Sequence, residues 1–99
     1  MDVNSLKAVY FIGAGGIGMS ALVRYFLSKG MKVGGYDRTP SDLTQKLIEE
    51  GAQIYYDERV ESIPTDFLDA TSTLIVYTAA MPNDHALLQY FRNHGYTIY

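Results

Sequence analysis

Short apolar runs alternate along the chain with longer segments in which apolar residues recur every three or four positions. The run Ala8–Ile12 contains no charged or amide side chain, a pattern typical of a strand that is buried on both faces. Similar runs, shorter or interrupted, predict further strands at 32–37, 53–56, 73–78 and 96–99.

Three segments show helical spacing, and capping residues bound them. Apolar positions three and four apart predict a helix over 17–29. Thr39 is expected to cap a second helix, which Gly51 ends, and Asp84 is expected to cap a third helix that ends near Asn93. The predicted buried face of the first helix comprises Ile17, Ala21, Leu22, Tyr25 and Phe26.

The regular alternation of strands and helices predicts an α/β fold, because parallel neighbours need crossover connections. We expect a Rossmann-like open, mainly parallel sheet of about five strands flanked by helices, in one domain over residues 1–99. The last strand ends on apolar residues without a stop signal, so we expect the chain to be the N-terminal part of a longer protein.

Composition narrows the class of protein. The 99 residues are 47% hydrophobic, include 13% aromatic residues and no cysteine, and carry a formal net charge of −3. These values exclude a disordered chain, a disulfide scaffold and a binder of nucleic acid that neutralises phosphates. No apolar stretch is long enough to span a membrane and no signal peptide precedes the first strand, so we expect a cytoplasmic location and no membrane partner.

A glycine-rich loop joins the first strand to the first helix. Residues 13–18 match G-x-G-x-x-G in the strand–turn–helix context that gives this pattern its meaning. Gly13 permits a tight turn, Gly15 lets the backbone approach a phosphate, and Gly18 is expected to let the helix pack close to the strand. The loop therefore predicts a ligand with a phosphate group, and the alternative is a tight turn that binds nothing.

The second strand ends in a second candidate binding group. Asp37 stands where a carboxylate commonly accepts hydrogen bonds from a ribose, although it also suits a turn before Thr39. Arg38 suits a phosphate or the face of a base, or else an exposed surface position. The pair Gly34–Gly35 inside the strand predicts the close approach of another backbone or a ligand.

The remaining polar residues form no catalytic constellation. His85 is expected at the surface and His94 at the C-terminal cap of the last helix, so no metal site is predicted from the two. The acidic segment 57–69 contains Pro64 and is expected to be a solvated loop with one helical turn. We therefore predict no catalytic residue and no metal ligand in this chain.

Several motifs, in order along the chain, resemble those of the Mur ligases. The glycine loop continues with Met19–Ser20, as it does in that family. Four further segments match the family in the same order, and these are Gly34–Asp37, Thr44–Leu47, Gly51–Ile54 and Ile75–Ala80. Because these motifs are spread along the sequence, the resemblance covers essentially the whole chain. The branch of the family that the chain resembles most joins L-alanine to UDP-N-acetylmuramate.

The resemblance implies the N-terminal domain of a three-domain ligase, which binds the UDP part of UDP-N-acetylmuramate during peptidoglycan synthesis. In such ligases ATP phosphorylates the lactyl carboxylate, and the amine of L-alanine attacks the acyl phosphate. ATP and Mg²⁺ are bound by the central domain, and no G-x-x-x-x-G-K-S/T motif occurs in these 99 residues. We therefore expect no cofactor on this chain and no activity from it alone.

The resemblance also implies which residues bind the UDP group. Two of them depart from the family: Glu58 stands where the family often has a histidine, and Tyr77–Thr78 replaces a pair of serines. The implied UDP-binding residues are Ala14, Gly15, Gly16, Ile17, Gly18, Met19, Asp37, Arg38, Thr78, Ala79 and Glu58.

Three other interpretations of the sequence stay open. The glycine loop and Asp37 also suit an NAD(H)-binding domain of a dehydrogenase or a regulatory protein. A related Mur-type ligase that adds a peptide begins in a similar way. A structural α/β module that binds no nucleotide is the third.

Overall fold

The computed structural model describes residues 6–14, 17–78 and 85–98. The described strands are β1 (Ala8–Ile12), β2 (Lys32–Tyr36), β3 (Gln53–Tyr55), β4 (Thr73–Tyr77) and β5 (Thr97–Ile98). The described helices are α1 (Ile17–Ser28), α2 (Asp42–Glu49) and α3 (Ala86–Asn93). Each predicted strand is present, and β2, β3 and β4 are each one residue shorter than expected.

All strand pairs in the described sheet are parallel, and the strand order is β3-β2-β1-β4-β5. The central strand β1 pairs Ala8 with Lys32 on one side and with Thr73 on the other. The α/β class and the five-stranded parallel sheet are confirmed.

Two hydrophobic clusters cover the two faces of the sheet, because successive side chains of a strand point to opposite faces. On one face Val9 and Phe11 pack with Val23 of α1 and Leu47 of α2. On the other face the alternate positions of β1 pack with α3 and with the connection between β3 and β4; the cluster there includes Tyr10, Ile12, Ile63, Phe67, Leu87, Leu88 and Phe91. The domain therefore has three layers.

The buried face of α1 differs from the prediction. Leu22 is 42% exposed and Tyr25 is 53% exposed, whereas Ser20 and Val23 are buried. Apolar residues surround most of this helix, so the sequence spacing fits more than one face. The contact with Phe11 and Val33 on the sheet selects the face that carries Val23.

The N-caps of the second and third helices also differ from the prediction. Ser41 caps α2, and a capping box forms in which Ser41 and Thr44 each bond the other's backbone N–H. Thr39 instead donates its N–H to Asp37 Oδ1 at 3.1 Å. The N-cap of α3 is His85, and Asp84 lies outside the described residues. His94 is the C-cap of α3, and the cap prediction for it is confirmed.

The connection between β3 and β4 contains two short 3-10 turns, at Val60–Ser62 and Thr65–Phe67, rather than one helical turn. The second turn brings the Phe67 ring under Gly34, where a Cβ atom would lie 2.7 Å from the ring. At Gly35 a Cβ atom would lie 2.6 Å from the Phe11 carbonyl oxygen. The close approach predicted at the glycine pair is confirmed, and protein atoms make it.

None of the helices in the described ranges has the length and the hydrophobicity of a membrane-spanning segment.

Candidate functional site

The carboxyl ends of the strands form the edge of the sheet where a ligand is expected. From β1 the chain turns to β2 and β3 on one side, and it then crosses to β4 and β5 on the other side. Open α/β sheets bind ligands in the crevice at such a reversal of strand order. The reversal lies between β1 and β4, so the segments that follow these two strands border the crevice.

The start of the glycine loop is held by the neighbouring strand. Gly13 adopts a φ of 97°, which glycine tolerates and other residues rarely adopt. Gly13 and Ala14 both donate their N–H groups to the carbonyl oxygen of Tyr36, at 2.7 and 3.0 Å. Ala14 is fully buried, backbone included. Gly15 and Gly16 lie outside the described residues.

The helix that follows the loop begins at Ile17 and has no acidic residue in its first turn. Its first N–H groups have no acceptor within the helix, which favours an anion at this end. A Cβ atom at Gly18 would find no described atom within 4 Å, so the predicted role of Gly18 in close helix–strand packing is wrong. Gly18 lies on the exposed side of the first turn, and Met19 packs partly against the core.

Asp37 lies at the expected edge of the sheet. Its N–H donates to the Tyr55 carbonyl oxygen at 3.0 Å, which extends the β2–β3 pairing by one residue. Its Oδ1 atom accepts the hydrogen bond from Thr39, so Asp37 has the turn contact considered in the sequence. Arg38 is exposed beside it. This turn contact orients the carboxylate.

On the other side of the crevice, Thr78 directly follows β4. Its N–H donates to the Ile12 carbonyl oxygen at 3.3 Å, and its side chain is half-buried. The structure thus places Thr78 next to the end of β1, where the glycine loop starts. Ala79 lies outside the described residues.

Glu58 contacts the start of α3 rather than standing alone in a loop. Its Oε2 atom accepts a hydrogen bond from the Ala86 N–H at 2.9 Å, and its Oε1 atom lies 3.4 Å from His85 Nε2. His85 is only 5% exposed, so the prediction of a surface histidine is wrong. The His85 ring packs edge-to-face on Tyr36, with 4.8 Å between the ring centroids.

Sequence reasoning missed Tyr36 and His85 as residues of this edge. Burial raises the pKa of the Tyr36 phenol, Glu58 and Asp37 raise it further, and Arg38 opposes them. The phenol is therefore a neutral hydrogen-bond donor at physiological pH. For Tyr36, the only signal in the sequence was its position directly before Asp37.

Charged groups in the described residues do not form a metal site. No group of three or more His, Asp or Glu side chains within these residues is arranged to hold a metal ion.

The comparison with known families shows to which family the chain belongs. The sequence pattern of the family described as "Mur ligase family, catalytic domain" matches residues 8–99. The chain belongs to the Mur ligase family. The resemblance found in the sequence is thereby confirmed.

Individual members of the Mur ligase family are also similar to the chain. The UDP-N-acetylmuramate–L-alanine ligase of Phocaeicola vulgatus is 68% identical over 99 residues, which are 100% of this chain and 22% of that protein. The ligase of the same name from Parabacteroides distasonis is 58% identical over 98 residues, or 99% of this chain and 21% of that protein. The chain thus spans about a fifth of the length of the curated relatives it matches.

A solved Mur ligase has the same fold. The crystal structure of UDP-N-acetylmuramate–alanine ligase from Thermotoga maritima superimposes with a TM-score of 0.79 at 25% sequence identity. The match covers 92% of this chain and 20% of that one.

Proposed function

We propose that this chain is the domain that holds the UDP part of UDP-N-acetylmuramate in a ligase that joins L-alanine to that substrate. The observation that carries the proposal is the match of the whole chain, at 68% identity, to a ligase of that name. Family membership favours this function over an NAD(H)-binding domain or a module without a ligand. The relatives named for L-alanine favour it over a ligase that adds a peptide. A cytoplasmic location accompanies the proposal.

The diphosphate is proposed to lie at the N-terminus of α1. Backbone N–H groups of Gly15, Gly16, Ile17 and Gly18 would bind it, assisted by the positive end of the helix dipole. Two features support this placement. The hydrogen bonds of Gly13 and Ala14 to Tyr36 fix where the loop starts, and the open space at Gly18 leaves the first turn accessible.

The nucleoside is proposed to lie across the carboxyl ends of β2, β1 and β4. Asp37 would accept a hydrogen bond from the ribose or the base, and Thr78 would donate one from the other side of the crevice. The contact of Asp37 with the Thr39 N–H supports this role, because it holds the carboxylate in one orientation before a ligand arrives. Met19, Arg38 and Ala79 would complete the site.

ATP and Mg²⁺ are proposed to bind outside this chain. The described residues hold no cluster of metal ligands, and the glycine loop is followed by Met19–Ser20 instead of the lysine that contacts transferring phosphates. The residues present therefore do not fit Mg²⁺-ATP, and we place no step of phosphoryl transfer here. The contribution of this chain to the reaction would be binding energy that positions a remote carboxylate.

Titration of the protein with UDP-N-acetylmuramate and with NADH tests the proposal. UDP-N-acetylmuramate should shift the amide NMR signals of residues 15–19, and NADH should not. Asp37→Ala should weaken the binding of UDP-N-acetylmuramate by about 1–3 kcal/mol in calorimetry, the range for losing a hydrogen bond to a charged group. Asp37→Asn removes the negative charge but keeps an oxygen that can accept the hydrogen bond from the Thr39 N–H. Its affinity therefore shows how much of the effect of Asp37→Ala is due to the charge and how much to the turn contact.

Asp42→Ala is the matched control, because it removes an exposed carboxylate five positions away at the start of α2. It should leave the affinity unchanged. Full affinity in Asp37→Ala would remove Asp37 from the site. Shifts of the glycine loop by NADH alone would favour the dinucleotide alternative.

A further inference from the structure

Three segments that are distant in the sequence meet beside the candidate site. Tyr36 ends β2, Glu58 follows β3, and His85 precedes α3. We call these three residues the Glu58 cluster. Glu58 contacts both His85 and the Ala86 N–H, and His85 packs on the Tyr36 ring. The cluster therefore ties the start of α3 to the carboxyl end of β2.

The hydrogen bonds of His85 define which of its nitrogens carries the proton. The Leu87 N–H donates to His85 Nδ1 at 3.3 Å, so Nδ1 is the acceptor and Nε2 carries the hydrogen in the neutral ring. Nε2 lies 3.4 Å from Glu58 Oε1. The Glu58 carboxylate also lies at the N-terminus of α3, where it accepts the hydrogen bond from the Ala86 N–H. The Leu87 N–H thus orients the ring from one side, and the Glu58 carboxylate lies in contact with it on the other.

Tyr36 connects the Glu58 cluster to the predicted ligand contacts. Its carbonyl oxygen accepts both hydrogen bonds from Gly13 and Ala14, and its peptide bond leads directly into Asp37. A displacement of Tyr36 would therefore move the start of the glycine loop and Asp37 together. Its ring is buried against His85, so its position depends on that contact.

We propose that Glu58 and His85 are positioning residues for the ligand site, which act on the glycine loop and on Asp37 through Tyr36. Glu58 thereby supports the site from behind instead of contacting the nucleotide. Both of its oxygens face groups of α3 and its N-cap, so the carboxylate is already engaged when no ligand is present. This inference rests on the proposed function, because the affinity for UDP-N-acetylmuramate is its readout.

The test compares single variants and one double variant of the full-length protein that contains this chain. Glu58→Ala removes the acceptor, whereas Glu58→Gln keeps one oxygen for the Ala86 N–H. Glu61→Ala is the control, because Glu61 is an exposed glutamate of the same connection whose one described ion pair is a 3.8 Å contact with Arg59. The dissociation constant for UDP-N-acetylmuramate and the amide NMR signals of the ligand-free protein are measured for each.

Glu58→Ala should shift the ligand-free amide signals of Ala86, Gly13 and Ala14. It should also raise the dissociation constant about tenfold, the change that corresponds to one charge-assisted hydrogen bond. Glu58→Gln should recover most of the affinity, and Glu61→Ala should match the unsubstituted protein. His85→Asn keeps an N-cap acceptor for α3. In the double variant of His85→Asn and Glu58→Ala, the dissociation constant should rise by less than the product of the two single fold-increases.

Two results would overturn the positioning role. Weaker binding of Glu58→Ala without any change at Gly13 and Ala14 would mean that Glu58 contacts the ligand directly. Lower stability of Glu58→Ala with an unchanged dissociation constant would mean that Glu58 only supports α3. A failure of the unsubstituted protein to bind UDP-N-acetylmuramate would contradict the proposed function as well.

Discussion

Replacing Gly34 by alanine should destabilise the fold mainly through the Phe67 ring. The added Cβ atom would lie 2.7 Å from Cε2 and Cζ of Phe67 and 3.0 Å from the Gln53 carbonyl oxygen, whereas unstrained carbon–carbon contacts are about 3.5–4.0 Å. The ring would have to move by about 1 Å. It has little room, because it is fully buried and packs edge-on against Tyr10 with 5.1 Å between the centroids. The Phe67 backbone is also held, since Tyr96 donates its hydroxyl to the Phe67 carbonyl oxygen at 2.9 Å.

The expected cost follows from these contacts. Overpacking of a core costs about 1–3 kcal/mol, and alanine returns about 0.4–1 kcal/mol through the unfolded chain. The free energy of unfolding of Gly34→Ala should therefore fall by about 1–2 kcal/mol. In a domain of this size each kcal/mol lowers the thermal midpoint by about 4–8 °C. Urea unfolding, followed by circular dichroism, measures the free energy directly.

A double-mutant cycle identifies the Phe67 ring as the cause. Phe67→Leu alone should also destabilise, but combined with Gly34→Ala it makes room for the new methyl group. The loss of unfolding free energy in the double variant should be smaller than the sum of the two single losses by about 1 kcal/mol. Gly35→Ala is the control, because its Cβ atom would meet the Phe11 carbonyl oxygen, a backbone atom that Phe67→Leu does not move. Additive effects for Gly34→Ala and Phe67→Leu would refute the reasoning.

Two further predictions concern the opposite edge of the sheet. The Thr73 hydroxyl is buried and has no hydrogen-bond partner among the described residues, so Thr73→Val should raise the urea midpoint by the equivalent of about 1 kcal/mol, and Thr73→Ser should not. Hydrogen bonds from Thr71, and one from the Ser72 side chain, lower the pKa of Asp69, so Thr71→Val should raise it in an NMR titration. A lowered pKa stabilises the fold at pH values above the ordinary pKa of the group. Thr71→Val should therefore be less stable than the unsubstituted protein at neutral pH, and this difference should disappear as the pH falls through the pKa of Asp69 in the folded protein.

The strands could be predicted from the sequence because they are short apolar runs punctuated by glycine. The face of α1 could not, because Leu22 and Tyr25 are as apolar as Val23 and the sheet contact makes the choice. The cap of α2 was ambiguous in a similar way, since Thr39 and Ser41 are both good caps and only tertiary packing places the first turn.

The candidate site was predicted where it consists of local motifs and missed where it consists of long-range contacts. The glycine loop and Asp37 follow strands, and their position at the sheet edge follows from the fold. The burial of His85 depends on Tyr36 and Glu58, which lie on other elements of the chain. Sequence spacing cannot reveal such a contact, because it arises only when the strands are side by side.

The central position of β1 has a consequence for how the chain is made. Synthesis produces β1 before β4, so one edge of this apolar strand gains its partner only when Thr73–Tyr77 has emerged. Pairing across such a long stretch of chain is slow, because the loop must close before any contact forms. Until then the exposed edge is open to pairing with other chains. The domain is therefore open to aggregation during its synthesis, until β4 has joined the sheet.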